Sequence, residues 1–216
     1  SQIAKYIPGN VFHVVGRHLL GSQAGIRHVV LAGATVYEIL GLLSISILIG
    51  FGGMIIFGLG NIYFSLYQII LILFTTLVIT GLTIALVPYL MSLRGVILPY
   101  KEIGNTVRNI SKVYLFYFIF FLIAGLLLVI IVNIFLNINF IITAKLVVIF
   151  SIAWVAGFII PGAPGGIGVR EAVIIFFITP IIGEAQSIAV AIALRFITLL
   201  GDVWFLIFSD SKFYLK

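Results

Sequence analysis

The chain has no cysteine, so disulfides and thiolate metal centres play no part in it, and its redox compartment is left open. Charge is nearly as scarce. Only 8% of residues are charged, against about 25% in an ordinary soluble domain, and 63% are hydrophobic, so there is too little polar surface to clothe a water-soluble globule. Other signatures are missing too. No His-Glu-x-x-His, paired acidic metal motif or Gly-x-Ser-x-Gly elbow occurs, and the glycines near residue 165 lack the Gly-Lys-Ser/Thr ending of a phosphate-binding loop and the third glycine of a dinucleotide site. No metal, cofactor or nucleic-acid partner is therefore expected. No cleavable signal peptide opens the chain, which starts at Ser1 without Met, and upstream residues are expected to precede it.

What is present is hydrocarbon-compatible sequence. Apolar runs of the ~20 residues that a helix needs to cross a ~30 Å layer cover about 29–50, 68–91, 113–136, 141–160 and 185–209. They are apolar all round, whereas the strands of an outer-membrane barrel would alternate. The fold class expected is all-α: a single polytopic transmembrane helix bundle over residues 1–216 with broken or re-entrant half-helices, in the cell membrane. Gly50, Gly52, Gly53, Gly58 and Gly60 are expected to end the first span in an uncharged connector. The loop after the second span carries Arg94, Lys101, Arg108 and Lys112 against Glu102, which places it in the cytoplasm by the positive-inside rule.

A few polar residues stand out against this background. Residues 1–28 hold Lys5, Arg17 and all three histidines around a piece too short to span, and read as a half-helix or an interfacial segment. Glu38 lies well inside the first span and is expected to face other helices. Lys145 can snorkel to the interface beside the uncharged 136–139 turn. In the last span Arg195 and Asp202 share a helix face but sit ~10 Å apart along the axis. Each either meets a partner such as Glu38 or Glu171 or lines one wet cavity, which makes Lys5, Glu38 and Asp202 polar-cavity candidates.

The most informative stretch is Pro161-Gly-Ala-Pro-Gly-Gly-Ile-Gly-Val-Arg-Glu-Ala172, a break between two apolar runs. Gly165, Gly166 and Gly168 open conformations closed to other residues, and a helix starting at Val169 presents free N–H groups that attract anions. Glu171 suits such a helix start. Arg170 does not, which assigns it to a phosphate or carboxylate rather than to the helix; the alternative is a structural kink that brings two helices close. The 160–162 Ile-Pro-Gly with Arg170 repeats the spacing of Ile7-Pro8-Gly9 with Arg17, and matched broken helices are a pointer to a binding site in membrane carriers. His13 and His18, beside Arg17, are the only candidates for acid–base chemistry.

Two motifs, KYIPGNVF at 5–12 leading to Arg17 and PGGIGVREA at 164–172, resemble the flippase-like family of the transmembrane domain of lysylphosphatidylglycerol synthase. Members are usually longer at the N-terminus. The resemblance implies a helical membrane domain linked to moving phospholipids or polyprenyl-linked glycans between leaflets, with no enzymatic activity in this chain. By motif matching it implies substrate-binding roles for Arg17, Gly165, Gly166, Gly168, Arg170 and Glu171, with Lys5, Pro8 and Gly9 behind them; Arg195 joins them from its place in the last span. The partner expected is a membrane lipid or lipid-linked glycan, and a second copy of the chain or envelope-biosynthesis proteins are further candidates. Two rival readings are a membrane transferase or phosphatase acting on a lipid-linked phosphate, and a structural subunit of an envelope-glycan assembly.

Overall fold

A computed structural model of the chain describes residues 21–23, 25, 28–59, 67, 70–71, 74–78, 81, 100–160 and 163–211. The 5–12 motif, Lys5, His13, Arg17, His18 and most of the second apolar run lie outside the described residues, as do Pro161 and Gly162.

Every element among the described residues is helical: α1 (His28–Phe57), α2 (Tyr100–Val132), α3 (Phe140–Ile159), a 3-10 turn at Pro164–Gly166, α4 (Val169–Ile182) and α5 (Glu184–Ser211). Four of them contain stretches long and apolar enough to cross a membrane, Leu31–Phe57, Ser111–Val132, Phe140–Ile159 and Glu184–Trp204. Large apolar side chains such as Phe116, Ile123, Ile130 and Phe196 are left exposed on their outer faces, as suits a protein whose solvent is lipid. The chain is a multi-pass, all-α membrane protein.

α3 is the central helix, packed against α1, α2 and α4. Direction follows from residue pairs. Gly50 and Gly53 of α1 abut Ile152 and Val148, and in α2 Gly125 abuts Val147 while Phe121 meets Phe150 and Trp154, so α1 and α2 both run antiparallel to α3 and parallel to each other. That is the relation the charge pattern requires of the first and third runs. α4 then climbs back along α3, with Arg170 at Gly157, and α5 descends along α4, with Ser187 beside Thr179 and Arg195 beside Glu171. α5 therefore ends on the side where α2 begins, which resolves the direction of the last span.

Two boundaries differ from expectation. α1 continues through Gly50, Gly52 and Gly53 to Phe57, because two of these glycines receive α3 rather than break the helix; a Cβ on Gly50 would stand 3.0 Å from Ile152 Cγ1. Its end comes at Gly58, whose φ of 56° is the left-handed geometry of a helix C-cap. Lys145 Nζ donates to the Gly58 carbonyl at 3.5 Å, so the lysine expected to snorkel also meets the negative end of α1. α2 begins at Tyr100, well before the apolar run, and takes Lys101, Arg108 and Lys112 of the expected loop into helix, since a helix already leaving the bilayer can carry charge. α4, at 14 residues, rises ~21 Å and cannot cross a ~30 Å layer alone, as expected of a half-helix.

The core is filled by Leu128, Val132, Leu146, Ile149, Ile178 and Val190. Ser46, Ser151 and Ser187 are fully buried with them, and each hydroxyl donates to a carbonyl of its own helix, so these three need no water at that depth. The α2–α3 turn is held by Asn139, whose side chain accepts from the Ile142 N–H at 2.9 Å and so caps α3.

Candidate functional site

The break between α3 and α4 is built by glycine. Gly165, Gly166 and Gly168 have φ of 61°, 74° and 84°, angles at which a side chain would be strained, and they turn the chain tightly enough to start α4 beside the end of α3. The conformational reading of these three glycines therefore holds. Their expected part in receiving a ligand is a separate matter, and the first anion at this helix end is the protein's own: Glu171 Oε2 accepts from the Gly168 N–H at 2.7 Å. That short, charge-assisted bond fixes the entry of α4.

Arg170 leaves the helix on the opposite course. Its stem runs through a slot between Gly157 of α3 and Gly166 of the turn; a Cβ on Gly166 would fall 2.6 Å from Nε and one on Gly157 would strike Cγ. The guanidinium carbon then sits 5.8 Å from the Trp154 ring centre, within cation–π range. Trp154 is itself held: it stacks on Phe158 at 5.4 Å with the ring planes nearly parallel, and makes a T-shaped contact with Phe121 at 5.3 Å. An aromatic shelf on α3 thus fixes where the cation can lie.

From the other side α5 brings Arg195, whose Nε lies 3.5 Å from Glu171 Oε1, with the two side chains 17% and 21% exposed. Glu171 is thus one of the expected partners that Arg195 meets. Between the three helices is a cavity of about 50 Å³ lined by Phe150, Ala153 and Trp154 of α3, Arg170, Glu171 and Ile174 of α4, and Ala191, Leu194, Arg195 and Thr198 of α5. That space is large enough for a few waters, each needing ~10–15 Å³, beside two guanidinium groups and one carboxylate. Apart from Thr198 its other walls are apolar, so the local charge is positive in a largely apolar surround.

Of the expected site residues, Arg170, Glu171 and Arg195 converge on this cavity, and Gly166 walls the slot that leads Arg170 into it. Gly165 and Gly168 shape the turn. Glu38 is half-buried on α1 and Asp202 half-buried on α5, and neither lines the cavity, which ends one turn before Asp202 at Thr198. Lys5, Arg17 and the two N-terminal histidines lie outside the described residues. Sequence reasoning missed Trp154 and Gly157. Their signal was a small residue three positions after an aromatic one, one helical turn apart at the end of the run that precedes the break.

No group of three or more potential metal-ligating side chains occurs among the described residues. No family model, curated protein or solved structure shows significant similarity to the chain.

Proposed function

We propose that the chain is a lipid translocator of the cell membrane, which moves a phosphate-headed phospholipid or a polyprenyl-linked glycan between leaflets. The observation that carries this reading is the meeting of Arg170 and Arg195 at one cavity between apolar helices, with Glu171 the one carboxylate in its lining. A phosphate crossing bare hydrocarbon faces a cost of order tens of kcal/mol, and a site that replaces part of its hydration with paired guanidinium donors lowers that barrier while the tails stay in lipid. The resemblance of residues 5–12 and 164–172 to the flippase-like family points the same way, with Arg17 as a further cation for the same headgroup.

At about 50 Å³ the cavity has room for water but not for a lipid headgroup. Loading requires α4 and α5 to part, and Gly168 and Gly183, with φ of 84° and 90°, stand at the two ends of α4 as hinges for that movement.

The test is transbilayer movement in phosphatidylcholine vesicles that hold the purified chain and a fluorescent phosphatidic acid, read by quenching of the outer leaflet. Wild type should accelerate exchange well above protein-free vesicles, and an Arg170→Ala, Arg195→Ala double variant should not. Equal rates for the two would defeat the proposal. A His13→Ala, His18→Ala variant with full activity would separate movement from chemistry on a lipid-linked phosphate.

A further inference from the structure

Glu171 does two jobs with two oxygens, and the difference between them is informative. Oε2 is committed to the Gly168 N–H at 2.7 Å. Oε1 stands 3.5 Å from Arg195 Nε, well beyond the roughly 2.7–2.9 Å of a charge-assisted hydrogen bond, so this contact is attraction across the cavity rather than a locked pair. A phosphate in the cavity offers oxygens that can take the Arg195 fork at bonding distance, with Arg170 lining the same cavity.

We propose, as a refinement of the translocator reading and resting on it, that Glu171 is a built-in competitor for the headgroup's place on Arg195. In the empty site Glu171 holds Arg195. In the loaded site the phosphate holds it, and Glu171 stays at the N-terminus of α4 through its bond to Gly168, so the exchange does not dismantle the helix start. The carboxylate then stands beside the bound phosphate as a like charge and limits how long the lipid stays. Arg170 and Arg195 are the other charged groups lining the cavity, and the α3 wall of Phe150, Ala153 and Trp154 contributes no charge.

Glu171→Gln isolates this role, because the amide oxygen can still accept from the Gly168 N–H while the negative charge is gone. The chain has two tryptophans, so Trp204→Phe leaves Trp154, beside Arg170, as a lone fluorescent reporter. In that background, titration in detergent with short-chain phosphatidic acid should show Glu171→Gln binding tighter by on the order of tenfold, the effect of one charge in a mostly buried site. In vesicles the same variant should move the labelled lipid more slowly at saturation, because release limits it. Glu171→Asp, which keeps the charge, should stay near wild type in affinity, and inorganic phosphate titrated in parallel distinguishes a headgroup site from a free-phosphate site. Unchanged or weaker binding by Glu171→Gln, with wild type binding normally and an unchanged melting temperature, overturns the competitor role alone. No response to phosphatidic acid from either protein overturns the translocator reading, and this proposal with it.

Discussion

Glycine brings helices together at two places in this molecule, with opposite results. Along α3's contacts with α1 and α2, Gly50, Gly53 and Gly125 admit Ile152, Val148 and Val147, and the outcome is a dry, closed seam. At the far end of the same helix Gly157, with Gly166 of the following turn, admits Arg170, and the outcome is a cation held beside a cavity. The device is the same, a missing Cβ. What differs is the residue that enters the space, so a glycine in a membrane helix has to be read together with what faces it.

Substitutions can break this contrast. The largest effect on folding is expected at Gly125→Val: the first added carbon alone would lie 2.9 Å from the Val147 Cα, backbone that cannot retreat, so overpacking should cost roughly 3 kcal/mol or more. Thermal unfolding in detergent checks this, and an unchanged melting temperature would contradict the seam. Arg170→Ala should leave the melting temperature close to wild type yet remove roughly 2–3 kcal/mol of headgroup binding, the worth of a charged donor, as read by lipid movement in vesicles. Gly157→Ala sharpens the comparison. Its new methyl meets a flexible side chain, so the helices should still pack while Arg170 is pushed off Trp154, with a loss of about 1–2 kcal/mol in lipid binding and little in stability. Trp154→Leu removes the ring beneath the cation, and about 1 kcal/mol of binding should go with it. Smallest of all, Lys145→Met takes a cation from the end of α1, remote from the cavity, and should lower stability by only a few tenths of a kcal/mol with lipid movement intact.

Much of this architecture is legible in the sequence because bilayers constrain it so tightly. Runs of apolar residues located α1, α3 and α5, and the glycine-proline break located the start of α4, while the partner of Arg195 was left open between Glu38 and Glu171. Less legible were the boundaries. α1 passes through glycines that look like a terminus because helix propensity says nothing about a neighbour that needs room, and α2 extends outward because charge does not stop a helix once it has left hydrocarbon. At the site, Arg170, Glu171 and Arg195 were visible as charges out of place in an oily chain, but Trp154 and Gly157 look like any other residues of an apolar run. Their part depends on which face of α3 meets α4, and a single helix with no polar side to orient it does not announce that face. Glu38 and Asp202 show the converse, since a charge in a span marks a polar place without saying which one.

The central claim is that Arg170 and Arg195 together hold a phosphate-headed lipid. Native mass spectrometry of the chain released from mild detergent tests it most directly, by comparing wild type with the Arg170→Ala, Arg195→Ala double variant after equal exposure to mixed phosphatidic acid and phosphatidylcholine. The account predicts a phosphatidic acid adduct that is selective over phosphatidylcholine in wild type and absent from the double variant. Adducts of equal abundance in both proteins, or with no preference for the anionic lipid, would contradict it.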